Sequence, residues 1–244
     1  MAPEPTTAIR LIARPHADGE YVGLSRDGGA EEIVHLHDYD RLYAVPGLYE
    51  HIVQGLLECR SPQVAVQALA DALDRLELDP ASLVLLDLGA GTGLVGELVQ
   101  ELGIAAVVGL DLLPAARAAA LRDRPGVYRD YVVGDLADPA PELLAKLRRH
   151  RFGGLVAAGA LGGAHMPPAA LANALALLPP GAPVVFTIHE RWTATDAPGG
   201  FRTPIARMLE SGRLRLLERS SFLHRRTTAG EPVTYELFAA ANGV

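Results

Sequence analysis

Val84-Leu85-Leu86-Asp87-Leu88-Gly89-Ala90-Gly91-Thr92-Gly93 reads as a buried apolar strand that ends on an acid and turns through three alternating glycines into a helix. Each glycine lacks a Cβ, so the backbone can turn tightly and a ligand can approach it closely. The helix that follows leaves its first N–H groups unpaired. A nucleoside-type cofactor is the usual occupant of such a turn, and two classes of cofactor compete for it.

Gly91-Thr92-Gly93-Leu94-Val95-Gly96 fits G-x-G-x-x-G, and Asp111 stands near the offset of a ribose-binding acid, as in nicotinamide dinucleotide sites. Three features oppose that reading. Asp87 lies inside the strand end, where the dinucleotide pattern needs no acid. Gly89 already opens the turn, which leaves Gly96 inside the helix with a packing role. A further acid, Asp135, closes a third apolar run in Tyr131-Val132-Val133-Gly134-Asp135-Leu136.

With these residues in view, the chain resembles the class I S-adenosylmethionine-dependent methyltransferases of the small-molecule type. Their first motif is similar to Asp87-Leu88-Gly89-Ala90-Gly91-Thr92-Gly93, the second to Gly109-Leu110-Asp111 and the third to Gly134-Asp135-Leu136. The resemblance covers roughly the last two thirds of the chain, in order and spacing as well as in letters.

The organisation agrees. Residues 1–38 are irregular, with turns at Asp18-Gly19 and Asp27-Gly28-Gly29, and suit an arm or a hairpin. Residues 44–80 form a helical cap, with Ser61-Pro62 as a helix start. Strand-like runs at 83–88, 105–110, 127–133, 154–158 and 183–188 then alternate with helical ones. Runs 213–223 and 234–239, around Ala229-Gly230-Glu231, suggest an antiparallel hairpin. The expected architecture is an α/β, Rossmann-like doubly wound, mostly parallel seven-stranded sheet with an antiparallel C-terminal hairpin and an N-terminal helical cap. Residues 1–43 are expected as an arm or lid, 44–80 as the cap and 81–244 as the cofactor-binding core, all in one domain.

Composition sets limits. Residues of hydrophobic type make up 49% of the 244, which excludes intrinsic disorder. A formal charge of −7 argues against nucleic-acid and anionic-membrane partners. Cys59 is the only cysteine, so no internal disulfide can form. Met1-Ala2-Pro3-Glu4-Pro5 lacks a signal-peptide pattern, and no apolar run has spanning length, so a cytoplasmic enzyme is expected. A homodimer stays open.

Ligands of an open α/β sheet sit beyond the carboxyl ends of the strands, where Asp87, Asp111 and Asp135 are placed. The two acceptor oxygens of Asp111 suit the ribose hydroxyls. The resemblance implies that Asp135 accepts from the adenine amine while Leu112 and Leu136 flank the ring. It assigns Gly89, Ala90, Gly91, Gly93, Gly134, Ala158 and Gly159 to the cofactor surface, and to Asp87 the ordering of the glycine loop or a water-mediated contact with the methionine ammonium. Tyr39 and Tyr43 are similar to tyrosines that close over the cofactor in small-molecule methyltransferases; aromatic packing of the arm on the cap is the competing reading.

The loop after the fourth core strand, Gly159-Ala160-Leu161-Gly162-Gly163-Ala164-His165-Met166-Pro167-Pro168, lacks the Asn/Asp-Pro-Pro-aromatic motif of enzymes that methylate base amines or glutamine. His165 is a candidate general base and substrate contact, and His189 is the substitute. Glu190 and Trp192 could shape a substrate pocket. The alternative for each is an ordinary loop residue. His35-Leu36-His37-Asp38 has strand spacing but no third ligand cluster, so no metal is assigned. The expected activity is methyl transfer from S-adenosylmethionine, giving S-adenosylhomocysteine, to oxygen, nitrogen or carbon of a small molecule, with specialised metabolism as the expected setting. The alternatives are a cyclisation or isomerisation on the same fold, and an NAD(P)-dependent oxidoreductase.

Overall fold

The computed structural model describes residues 7–12, 19–26, 28–163 and 165–243, and the described N-terminal residues include a small antiparallel sheet. Strands β1 (Thr7–Ile12), β2 (Tyr21–Arg26) and β3 (Glu32–His35) pair antiparallel in chain order. Val22, Leu24, Val34 and Leu36 are buried on one face of this sheet. That face packs on Leu42, Leu48, Ile52 and Leu57 of the cap in a small core of its own. The expected turn residues Asp18 and Asp27, the first five residues and Ala164 lie outside the described residues.

The cap comprises α1 (Tyr39–Tyr43), α2 (Leu48–Glu50), a π-helical turn (His51–Leu56) and α3 (Ser61–Arg75). Pro62 sits in the first turn of α3, where its missing N–H costs nothing. Ala65, Ala68, Leu69, Ala72 and Leu73 make the buried stripe that lays α3 on the main sheet.

The main sheet contains β4 (Val84–Leu88), β5 (Ala106–Asp111), β6 (Asp130–Val133), β7 (Gly154–Leu161), β8 (Pro183–His189), β9 (Leu214–Arg226) and β10 (Pro232–Asn242). Its order is β6-β5-β4-β7-β8-β10-β9. The first five strands are parallel, and β10 runs antiparallel to both β8 and β9. Helices α4 (Leu94–Gln100), α5 (Pro114–Asp123), α6 (Pro141–Arg148) and α7 (Pro168–Leu175) follow β4 to β7. The short α8 (Glu190–Thr193) and α9 (Arg202–Glu210) follow β8. Two cores on opposite faces of the sheet result, as the doubly wound pattern requires.

Two boundaries differ instructively from the sequence reading. β6 begins at Asp130 because Tyr128 leaves the strand line and inserts its ring beneath the glycine loop. A Cβ on Gly96 would lie 2.5 Å from that ring, so Gly96 is a packing glycine. β7 runs past Ala158 to Leu161 with a register break against β8. Such a break bends a strand and re-aims its side chains. Among the described residues, no helix is long and apolar enough to cross a membrane.

Candidate functional site

The carboxyl ends of β4 to β7 meet under the cap and leave a cavity of about 550 Å³ between them. That volume falls within the ~300–1,000 Å³ of small-molecule sites. One end is built by the glycine loop. Gly89 (φ +74°) and Gly91 (φ +53°) hold left-handed backbone. A Cβ on Gly89 would fall 2.3 Å from the Cβ of Ala160, and one on Gly91 would fall 3.3 Å from the Tyr43 hydroxyl. Gly93 also has positive φ, but it packs on Tyr128 and does not line the cavity.

Asp111 joins the loop to β5. Its Oδ2 accepts from the Gly91 N–H at 2.9 Å and its Oδ1 from the Leu113 N–H at 3.0 Å. Each oxygen keeps a lone pair for a ligand, since a carboxylate offers about four acceptor positions. Burial pushes the Asp111 carboxyl above its ordinary range, against the pull of these N–H groups. The Tyr131 hydroxyl donates to the Gly91 carbonyl at 2.7 Å and fixes the loop from the other side.

Asp87 lies beneath the loop, fully buried and outside the cavity lining. The Tyr128 hydroxyl donates to its Oδ2 at 2.7 Å, and Oδ1 has no partner among the described residues. Burial, with Asp111 adding to it, raises this carboxyl to about 7. Asp87 therefore supports the loop from below.

Asp135, Gly134 and Leu136 line the same cavity. Asp135 Oδ1 accepts from the Ala137 N–H at 2.7 Å, and its side chain is open to solvent. Leu136 is buried, whereas Leu112 across the cavity is 56% exposed, so the two leucines make one fixed and one open wall. Ala90, Ala158 and Gly159 complete the expected surface.

The cap is tied to the glycine loop. The Thr92 hydroxyl donates to Glu50, and Arg124 donates to Glu50 Oε1 at 2.8 Å and to Glu97 Oε2 at 2.9 Å. The Arg122 guanidinium reaches the Tyr43 carbonyl at 3.0 Å. Tyr39 and Tyr43 stack at 5.3 Å, and Tyr49 meets both edgewise. Tyr39 and Tyr43, which pack together with Tyr49, also line the cavity.

His165 lines the cavity 5.2 Å from the His37 ring and 6.2 Å from that of Tyr39. Burial lowers its pKa, and the charge of Asp111 opposes the shift. His189, Glu190 and Trp192 are placed outside the cavity lining. His189 Nδ1 accepts from the Arg191 N–H at 3.2 Å and caps α8. Glu190 is exposed. Trp192 packs beneath Gly162 and Gly163, where any Cβ would come within 2.9 Å of its ring, so it supports the loop that carries His165. His35 Nδ1 accepts from the His37 N–H at 3.1 Å. Among the described residues, no group of three or more His, Cys, Asp or Glu is arranged to hold a metal ion.

The far end of the cavity is made by residues that carry no sequence motif: Gln54, Cys59 and Ser61 of the cap, and His224, Arg225 and Tyr235 of the β9–β10 hairpin. Arg225 donates to Glu20 Oε1 at 2.9 Å and with its other nitrogen to Oε2. The Glu20 carboxyl is held below its ordinary range by this guanidinium despite burial, which pulls the other way and is the largest influence. The sequence carried no signal for this arrangement, since the runs read for the last hairpin stop at Leu223, short of His224 and Arg225.

A family model described as a methyltransferase domain matches residues 61–229. No curated protein matches the sequence. Among solved structures, the chain is similar to the N-methyltransferase NodS of Bradyrhizobium japonicum WM9 in complex with S-adenosylhomocysteine, at 16% identity and a TM-score of 0.56, covering 85% of this chain and 97% of that one. An S-adenosylmethionine-dependent methyltransferase of Clostridium acetobutylicum is similar at 11% identity and a TM-score of 0.55, covering 80% and 96%. A Pyrococcus horikoshii protein provisionally assigned as an RNA methyltransferase is similar at 17% identity and a TM-score of 0.54, covering 76% and 88%. At these identities the likeness is one of fold.

Proposed function

This chain belongs to the methyltransferase-domain family and is a class I S-adenosylmethionine-dependent methyltransferase; we propose that it methylates a small molecule held in the capped cavity. The observation that carries the proposal is the continuous cavity of about 550 Å³ that joins the glycine loop to a chamber lined by the cap. A cavity of this size, open on one side, suits a small acceptor better than a polymer, and the formal charge of −7 favours no polyanion.

The residues present fit the cofactor. Gly89 and Gly91 leave open a cradle that side chains would fill, and Asp111 keeps free lone pairs. In our reading Asp111 takes the ribose hydroxyls, Asp135 takes the adenine amine, and Leu112 and Leu136 flank the base. Gly89, Ala90, Gly91, Gly134, Ala158 and Gly159 face the cofactor, with Tyr39 and Tyr43 closing over it. The bound cofactor supplies a methyl group activated by a sulfonium. The protein's part is to position the acceptor, exclude water and receive a proton. Residues 1–43 serve in this reading as a covering sheet anchored to the chamber through Glu20 and Arg225.

The proposal is tested by supplying methyl-labelled S-adenosylmethionine together with a low-molecular-mass cell extract and, separately, with total RNA. Label is expected in the low-molecular-mass fraction. Incorporation into RNA alone would refute the small-molecule reading.

A further inference from the structure

The β9–β10 hairpin is irregular at one point. Leu223 pairs with Thr234 and Arg225 with Val233, so His224 is an extra residue, a β-bulge. Successive residues of a regular strand face opposite sides. Here the bulge lets His224 and Arg225 line the same cavity. Bulges recur beside active sites because they re-aim side chains in this way. The bulge also docks on the cap: the His224 carbonyl accepts from the Arg60 N–H at 2.8 Å, and the Arg226 N–H donates to the Leu57 carbonyl at 2.8 Å.

The His224 ring is fixed on three sides. Nδ1 lies 2.7 Å from Ser61 Oγ and 3.7 Å from Cys59 Sγ. The ring stacks on Tyr235 at 3.8 Å, and Cε1 faces Gly159, 3.8 Å from where a Cβ would stand. Nε2 has no hydrogen-bond partner among the described residues. In the same lining, Gln54 Oε1 is buried with no hydrogen-bond partner among the described residues. Arg225 is the one Lys or Arg among the described lining residues, and both its ends meet the Glu20 carboxylate.

Resting on the functional reading above, we propose that His224, oriented by Ser61, is the general base of the acceptor chamber and that the acceptor is a neutral hydroxyl compound of the phenol or enol class. In this step the acceptor oxygen forms a bond to the methyl carbon. The carbon–sulfur bond breaks with its electron pair going to sulfur, and the hydroxyl proton passes to Nε2. The positive charge moves from sulfonium to imidazolium, so the net charge of the cavity is unchanged. A neutral imidazole in the resting enzyme is required, because an imidazolium would repel the cationic cofactor. Burial, with Arg225 and His189 adding to it, lowers the pKa of His224 to about 3 and keeps it neutral; so weak a base takes the proton only as the carbon–oxygen bond forms, when the acceptor oxygen has become strongly acidic. An anionic acceptor would find no unpaired cation in the lining, whereas a hydroxyl or amide donor would satisfy Gln54. Ser61 is a positioning residue: by accepting from Nδ1–H it leaves the lone pair on Nε2.

Long-range ¹H–¹⁵N NMR of the S-adenosylhomocysteine complex tests the assignment, with His224→Asn identifying the resonance. The expected tautomer carries its proton on Nδ1, and Ser61→Ala should shift the population toward Nε2–H. Phenol should perturb the His224 resonances at concentrations at least tenfold lower than benzoate does. With a phenolic acceptor, His224→Asn should lower kcat by about 10²–10⁴-fold while S-adenosylhomocysteine affinity stays within about threefold. A proton on Nε2 in the wild type, or a response to benzoate equal to or stronger than that to phenol, overturns the proposal. Calorimetry on the same sample separates the two failures: without S-adenosylhomocysteine binding the cofactor reading itself falls.

Discussion

Replacing Gly159 by alanine should weaken cofactor binding with little loss of stability. Gly159 has φ +68° at the break in β7, and its N–H donates to Thr187 Oγ1 at 2.8 Å. A Cβ there would meet no wall, the nearest atom being His224 Cε1 at 3.8 Å. The structural cost is then the left-handed backbone alone, about 1–2 kcal/mol, or a few degrees in Tm for a chain of this size. The added methyl would project into the cavity against the cofactor, so affinity for S-adenosylhomocysteine should fall at least tenfold, about 1.4 kcal/mol. Gly89→Ala makes the contrast. Its φ is +74° and its Cβ would fall 2.3 Å from Ala160, so the loop itself must move. That variant should lose more stability than Gly159→Ala does and bind no better. Calorimetry for affinity and scanning calorimetry for Tm read both variants. Wild-type affinity in Gly159→Ala would refute the placement of the cofactor against β7.

Tyr128→Phe removes the only side-chain donor to the buried Asp87 among the described residues and should cost about 1–3 kcal/mol, measured by urea unfolding. His224 should make the protein acid-sensitive. Its folded pKa, about 3, lies below the 6.5 of the free side chain, so the unfolded chain takes up the proton first. Its contribution is fully present above pH 6.5 and lost from there down to pH 3, with a slope of about 1.4 kcal/mol per pH unit. Denaturant unfolding across that window should show a shallower slope for His224→Asn. Hydrogen exchange in β1–β3 should slow when S-adenosylhomocysteine binds, and identical exchange in both states would count against a covering role for residues 1–43.

The parallel core was legible because each of its strands carries a short apolar run followed by a turn signal. Asp87, Asp111 and Asp135 stand at or just beyond the carboxyl ends of β4, β5 and β6, the edge to which their spacing in the sequence pointed. The N-terminal sheet was not legible, since its buried residues, Val22, Leu24, Val34 and Leu36, are few and separated by a long turn-rich stretch. Strand β6 was read too long because Val127 and Tyr128 are as apolar as strand residues, yet Tyr128 serves as the prop of Asp87. The histidines show the limit most clearly. Those after β7 and β8 were visible by their position behind the strands, and one of them, His189, caps a helix away from the cavity. His224 was hidden in Ser221-Phe222-Leu223-His224-Arg225, which has no motif. Only the strand pairing reveals the bulge that turns it inward.

The central claim is that Asp111 and the glycine loop form one end of a cavity made for S-adenosylmethionine. Titration calorimetry of the wild type and of Asp111→Ala against S-adenosylhomocysteine and NADP tests it most directly. The account predicts wild-type binding of S-adenosylhomocysteine in the micromolar range or tighter, and no comparable binding of NADP. In Asp111→Ala the loss should be at least tenfold, since two charge-assisted hydrogen bonds are removed at roughly 1.5–3 kcal/mol each. Tight NADP binding by the wild type, or unaltered S-adenosylhomocysteine affinity in the variant, would contradict it.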